Sequence, residues 1–503
     1  MIRKTTALSR RQLLKVMGAG AAGMALAACA PSAPQAGQEG EAGPTQAATV
    51  IKFDAGSWTP SKYTGQQLAE GMSELQGFEL VVEKYREIHP EVTIEFQPIP
   101  MGNRREAAIT MLSGGTAPDM SWAQPDWVNE DLGKGWWLNL DPFLETPNPY
   151  VPEDHEGRQS WHDSFYPSID FWRAPDGHLY MVLGDQTAVG IYYNKDMFNE
   201  AGITAERPAT WAQLVEFCEQ IKQAGYPGFS WVASGEPAMH MLTWVSGWLS
   251  KYFFWSLIPT YDQDSNGWPD KWEIADAVQA GTYSATMDEQ VARLRTLKEL
   301  AQYWQEGALG MENEAAYRFF LSGGGAMIPT TMGQLARFLD DPERKFELGW
   351  FYFPPVTQET WSEIPSDVPM TNVASGYGAF QYTLTSTAQA NGTVEIGADF
   401  LKFATTPENI TTIVSERPNT VPNVKGGQGH PLVEEFGFAE TVAYPASTFQ
   451  EDDSLLDFEY GMNFTSVVVP YCVGQLSEED MLAQLQEYLE AAAERIQAIR
   501  PEA

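Results

Sequence analysis

Residues 262–273 read DQDSNGWPDKWE. Asp262, Asp264 and Asn266 stand at loop positions one, three and five, Gly267 at six, Asp270 at nine and Glu273 at twelve. That order matches the calcium-loop pattern D-x-[DN]-x-[DN]-G-x5-E throughout. Short oxygen-bearing side chains on alternate residues converge on a hard cation. Glycine permits the sharp bend, the Trp268 carbonyl supplies a backbone ligand, and the terminal glutamate binds through both oxygens. The competing reading is a polar, acid-rich turn between two helices. The full spacing favours Ca²⁺, as a structural ion that pins a loop and takes no part in catalysis.

The second chemical resource is tryptophan, with 17 in the chain. Pyranose rings present a face of C–H groups that stacks on an indole, while carboxylates and amides bind the hydroxyls. Trp244, Trp248 and Trp255 share one helical face and read as core. A catalytic constellation is not evident. No GxSxG, HExxH or Walker-type loop occurs. His155 and His162, near Asp154 and Asp163, sketch a metal site, but a solvated loop is the better reading. Paired carboxylates for glycoside hydrolysis stay open, because acids are everywhere.

These groups need a scaffold, and length and charge bound it. At 503 residues the chain exceeds one ordinary core, so two or more domains are expected. The net charge of −36 repels nucleic acid and anionic lipid and disfavours an anionic ligand. The first 28 residues carry Arg3, Lys4, Arg10, Arg11 and Lys15 and no acid, so the remainder is more acidic still. SRRQLLK (residues 9–15) resembles a twin-arginine export signal. The apolar segment Val16–Ala28 is too short to span a bilayer. It ends in Leu26-Ala27-Ala28-Cys29, which resembles a lipoprotein cleavage box. Cleavage before Cys29 and its acylation are expected. Residues 30–48 are rich in Ala, Pro, Gly and Gln and read as a flexible tether. Cys218, on a helix, and Cys472, after the apolar strand-like run SVVVPYC, are either two buried thiols or a pair in an oxidising compartment.

From Thr49 the pattern alternates. TVIKFDAG reads as a strand, Gln66–Ile88 as a helix, Val92–Phe96 as a strand and Asn103–Leu112 as a helix. A third strand follows Ala117-Pro118-Asp119. Such alternation implies a parallel, doubly wound sheet, which binds ligands beyond the C-terminal ends of its strands. Further on, Val189–Tyr193 is a buried strand, Met197–Ala201 a short helix stopped by Gly202, and Thr210 an N-cap for Trp211–Gln223.

YNKDMFNEAGI (193–203) followed by PATW (208–211), with HPEVTIEF and GGTAPDM upstream in that order, resembles the family 1 extracellular solute-binding proteins. These are the ligand receptors of ABC importers, of the maltose-binding-protein type. The resemblance implies an α/β fold of type II, periplasmic-binding-protein-like, with two lobes, each a sheet flanked by helices, around a hinge. It implies a signal over 1–28, a tether over 29–48, a first lobe over 49–187 and a second over 188–321. RFFLSGGGAM (318–327) would be the return crossover. The chain would then re-enter the first lobe over 322–386, with Phe346–Phe353 and Tyr377–Leu384 as strands. Residues 387–503 would complete the second lobe with C-terminal helices.

The same resemblance nominates ligand-binding residues. Trp122, Asp126 and Trp127 occupy a loop where the family carries a cleft aromatic and an acid, and Trp58 follows the first strand by the same logic. Asp185, Gln186 and Thr187 sit at the first crossover. Glu236 falls near a cleft carboxylate of the family, and Gln334 and Tyr377 follow later strands. The implied function is a lipid-anchored receptor that captures a carbohydrate, probing as a monomer for its membrane permease, with no nucleic-acid partner. The alternatives are a secreted carbohydrate-active enzyme, a polysaccharide adhesin, and a receptor for a polyamine or peptide.

Overall fold

The computed structural model describes residues 49–64, 74–100, 104–174, 176–263, 269–370, 378–438, 457–498 and 500. Their buried side chains form two hydrophobic cores, one for each lobe of an α/β fold.

The first lobe is built on five strands: β1 (Thr49–Asp54), β2 (Val92–Phe96), β3 (Met120–Trp122), β4 (Val182–Leu183) and β9 (Gln381–Leu384). Their order is β2-β1-β3-β9-β4. β1 pairs in parallel with β2 and β3. β9 is antiparallel to both β3 and β4, so the sheet is mixed where a wholly parallel one was expected. The reason lies in the route of the chain. β9 arrives from the second lobe, enters at the end where β1 and β3 finish, and so runs against them. Phe53, Phe78, Phe380, Tyr382 and Phe400 fill one face of this sheet with edge-to-face rings.

The second lobe holds a smaller sheet of β6 (Val189–Asn194), β7 (Met327–Thr331) and β8 (Leu348–Tyr352). Every residue of β6 is buried, as a central strand requires. β7 takes one edge and β8 the other, both antiparallel. This corrects the expected boundaries. Residues 327–352 stay in the second lobe and do not return to the first. Segment 386–414, expected in the second lobe, belongs to the first, where Phe400, Leu401, Ile410 and Val414 join its core. A strand-like stretch states that it wants a sheet, not which one, and the two open edges of β6 decided the matter.

Helices Gly235–Phe253, Lys271–Gln279, Asp288–Ala301, Phe458–Cys472 and Glu478–Ala498 cover the second lobe. The run SVVVPYC is helical, contrary to its β-branched composition. Tyr460, Phe464, Val467, Val468 and Tyr471 are all buried, a stripe of helical period that burial rewards over intrinsic strand preference. Cys218 and Cys472 are buried free thiols, both pushed well up by burial. Helices Ser386–Asn391 and Val394–Ala404 are separated at Gly392, whose φ of 68° ends the first. The lesser two-stranded sheet pairs β5 (Asp185–Gln186) with β10 (Val421–Pro422) between the lobes' cores.

Candidate functional site

The C-terminal ends of β1 and β3 carry the predicted aromatic loops, and the structure brings most of them together. After β1 the chain turns through the 3-10 segment Gly56–Trp58. Gly56 has φ 54°, and a Cβ there would lie 2.6 Å from Cγ of Trp122, so only glycine lets the loop close on that indole. Trp122 meets the edge of Trp127 at 5.5 Å between centroids and 82° between planes. The guanidinium of Arg104 lies 4.7 Å from the Trp122 ring centre.

Arg104 was not foreseen as a site residue. It is buried, donates to the Ile99 carbonyl at 2.7 Å and pairs with the Asp54 carboxylate. Asp54 also accepts from the backbone N–H groups of Ile99 at 3.2 Å and Gly56 at 3.3 Å. Burial pushes the Asp54 carboxyl up against the pull of Arg104, and burial pushes Arg104 down. The pair thus bears a desolvation cost, repaid by mutual attraction and by hydrogen bonds from the backbone. The sequence signal was available: an Asp at the last position of a strand and an Arg opening the next helix but one. Next door, Arg105 lies 5.4 Å from the Trp127 ring and binds Asp131 at 2.8 and 2.9 Å.

Trp122 is buried, with its indole N–H unpartnered among the described residues, whereas Trp127 is half-buried. Trp127 is therefore the more accessible stacking surface, and Trp122 the wall behind it. The side chain of Asp126 lies outside the described residues, as does Tyr377. Gln381, also unforeseen, is buried where β9 begins, opposite Leu183 and next to Ala123. Neither atom of its amide has a protein partner among the described residues.

At the first crossover Asp185 is fully buried. Its oxygens accept from Trp58 Nε1 at 3.0 Å, Thr420 Oγ1 at 2.8 Å and Phe380 N at 2.7 Å. Burial pushes its carboxyl up to about 6, hydrogen bonds from Phe380, Thr420, Trp58 and Ala379 opposing that shift. Asp185, nominated to face a ligand, is thus buried at the crossover with its carboxylate held by donors from three distant segments. Trp58 is likewise buried by this bond. Gln186 is buried opposite Val421, and Thr187 is half-buried.

From the second lobe, Glu236 is exposed in the first turn of helix Gly235–Phe253 and lies 3.4 Å from His240, whose ring stacks on Trp244 at 6.1 Å. Trp244 is half-buried and packs against the second core, while Trp248 is buried within it and donates to the Pro354 carbonyl. Trp255 lies beyond the helix end. Gln334 is half-buried just after β7. No hydrogen bond or ring contact joins Glu236 or Gln334 to the first-lobe cluster among the described residues. His155 caps a 3-10 turn, and His162 pairs with Asp170 at 2.9 Å, so the histidine pair serves local structure. A cavity of about 290 Å³ lined by Asp141, Leu144, Glu145, Ser160, His162 and Arg173 contains none of the predicted ligand residues.

The calcium-loop residues Asp264, Asn266, Gly267 and Trp268 lie outside the described residues. Of its remainder, Asp270 caps helix Lys271–Gln279, and Glu273 completes a capping box. Glu273 also accepts from Gln263 N at 2.6 Å, which draws the end of the loop onto its start.

Comparison with known proteins gives this arrangement its context. The family model for the bacterial extracellular solute-binding proteins matches residues 69–411. The chain belongs to that family. Among curated relatives, the sn-glycerol-3-phosphate-binding periplasmic protein of Escherichia coli is 25% identical over 289 residues, covering 56% of this chain and 58% of its own. A putative binding protein of Brucella abortus is 27% identical over 162 residues, 32% of this chain and 35% of its own. The matches thus span from about a third to under two thirds of these relatives. Solved structures agree over far more of the chain. The sugar-binding protein MalE of Xanthomonas citri superposes with a TM-score of 0.62 at 15% identity, covering 90% of this chain and 99% of its own. The apo form of RafE from Streptococcus pneumoniae gives 0.61 at 15% identity with the same coverage. This solute-binding protein therefore has the two-lobe fold of its family, whose members work outside the cytoplasm. Among the described residues no helix is long and apolar enough to cross a membrane.

Proposed function

We propose that this solute-binding protein is the lipid-anchored receptor of an ABC importer, that it closes its lobes on a carbohydrate, and that it delivers the sugar unaltered to a membrane permease. The observation that carries the ligand class is the aromatic cluster at the ends of β1 and β3, with half-buried Trp127 offering an indole for stacking. Structural neighbours include a receptor described in complex with raffinose and one described with a preference for galactopyranose. The relative that binds sn-glycerol-3-phosphate raises an anionic ligand as a second reading. The site's own electrostatics argue against it. Arg104 is matched by Asp54, and Arg105 by Asp131 and Glu130, so neither cation stands ready for a phosphate. Candidate contacts are Trp122, Trp127 and Asp126 in the first lobe, Thr187 at the crossover, and Glu236, Gln334 and Tyr377 from the rest of the chain.

A thermal-shift screen tests the class. Raffinose, maltose, galactose and chitin oligosaccharides are compared with sn-glycerol-3-phosphate, spermidine and a peptide mixture. A true ligand raises the melting temperature by mass action. A shift by the phosphate ester or the polyamine alone would overturn the carbohydrate reading. Recovery of a hydrolysed sugar would make the protein an enzyme.

Two accessory features complete the proposal. Cys29→Ala should release the protein from membranes on fractionation, and unchanged membrane association would refute acylation at that residue. The loop from Asp262 to Glu273 should bind Ca²⁺, for which Glu273, whose carboxylate reaches the start of the loop at Gln263 N, would be the closing oxygen ligand. Chelation should lower the melting temperature by on the order of a few °C, and added Ca²⁺ should restore it. Asp264→Ala should abolish that response.

A further inference from the structure

The chain passes between the two cores three times. It leaves the first lobe after Leu183 and joins the second at Ala188. It leaves the second after Met370 and is in the first again at Ala379. Its third passage, past Val414, sends Val421 into the second core and Val424 into the first. One carboxylate lies in the first, is bound by the third, and meets the residues at which the chain is back in the first lobe. Asp185 lies in the first passage, and its backbone pairs with Pro422 of the third. Its side chain accepts from Thr420 in the third passage and from Phe380 N where the second lands. Gly378 abuts it so closely that a Cβ would lie 2.1 Å from the Asp185 carbonyl oxygen and from Oδ1. A fourth tie runs to Trp58 Nε1 in the loop after β1, beside the aromatic cluster.

A hinge rotates by small changes in a few backbone dihedrals. Crossing segments that slip independently would let the lobes twist as well as close. A carboxylate that joins the first passage to the third and to the first lobe opposes such slipping, because two oxygens with about four lone-pair sites can accept all these donors at once. An amide or an apolar side chain cannot. The donors facing it, an indole, a hydroxyl and a backbone N–H, are all neutral. The titratable group beside it is the phenol of Tyr382 on β9, held protonated by burial, with Asp54 and Arg104 nearby.

We propose that Asp185 is the positioning residue of the hinge: it holds the first and third interlobe passages together and fastens them to the start of β9 and to the Trp58 loop, so that the lobes close along a single path. This rests on two-lobe closure and not on the sugar assignment. It is therefore measured without ligand, and its failure leaves the carbohydrate reading standing.

The test is the interlobe distance distribution of the ligand-free, full-length protein. Spin labels go on exposed Glu87→Cys of the first lobe and exposed Ala224→Cys of the second. The parent should give one narrow distribution. Asp185→Asn, isosteric but unable to accept every donor, should broaden it roughly twofold. Thr420→Val and Trp58→Phe, each removing one donor, should broaden it less. Asp131→Asn is the control. That carboxylate is also buried and holds Arg105, Lys134 and Trp137, but within the first lobe. It should lower the melting temperature without broadening the distribution. An unchanged width in Asp185→Asn, or equal broadening in Asp131→Asn, overturns the proposal. If Asp185→Asn does not fold, the single-donor variants decide. Broadening in either upholds the proposal, and parental width in both overturns it.

Discussion

Each lobe buries a cation against a tryptophan, and the two cations are treated differently. In the first lobe Arg104 lies 4.7 Å from the Trp122 ring and is paired with Asp54. In the second, Lys251 lies 4.6 Å from the Trp248 ring and 4.7 Å from the Tyr252 ring. Its ammonium has no hydrogen-bond partner among the described residues, and burial pushes it down to about 7. Aromatic faces attract a cation, but they do not replace the water it has lost. A planar guanidinium with several donors can satisfy a carboxylate, a carbonyl and a ring together. The first lobe therefore spends its buried charge on holding an indole at the strand ends. The second carries its buried charge as a cost.

Four substitutions test this contrast. The largest effect is expected for Arg104→Ala. It leaves Asp54 buried and uncompensated, at a loss of roughly 3–5 kcal/mol in chemical denaturation. A loss below about 1 kcal/mol would mean that the pair is replaceable by water. Next is Lys251→Met, which should stabilise the protein at pH 7 by on the order of 1–3 kcal/mol. The sign follows from linkage. A lysine whose folded pKa falls from 10.5 to about 7 contributes most above its unfolded value, and that contribution is lost as pH falls. The gain from methionine should therefore grow as pH drops from about 10 to 7 and level off below. A gain independent of pH would show that Lys251 has found a partner.

The smallest effect on stability is expected at Trp127. Half-exposed, Trp127→Ala should cost under about 1 kcal/mol in stability yet weaken sugar binding at least about tenfold. Trp122→Ala, by emptying a packed wall, should cost about 3–5 kcal/mol. Calorimetric titration beside melts separates the two. The reverse ranking would make Trp122 the stacking surface.

Local signals were read well where the partner is near in sequence. Thr210 caps its helix by accepting from Gln213 N, as its place before an apolar period requires. Asn194 caps the short helix Lys195–Glu200 by accepting from Asp196 N and Met197 N. The strand ends were placed closely enough to nominate Trp122 and Trp127 before any contact was known. What failed depended on distant partners. SVVVPYC looks like a strand until helix Glu478–Ala498 packs along it. The burial of Asp185 is equally invisible in the sequence, because Phe380, Thr420 and Trp58 converge on it from 195, 235 and 127 residues away.

By itself the sequence determined the acidic surface, the crossover motif and hence the family, most element types, and the aromatic loops that end β1 and β3. These rest on composition and on spacings of a few residues, which short-range sterics and hydrogen bonding translate directly into structure. Only the tertiary structure decided which sheet received β8, which way β9 ran, and which tryptophan stayed accessible. It also decided that the carboxylate at the first crossover would be buried among donors from three distant segments. Those outcomes turn on which edges, donors and apolar faces were still unmatched when the chain returned from the other lobe. A linear pattern carries no record of that competition.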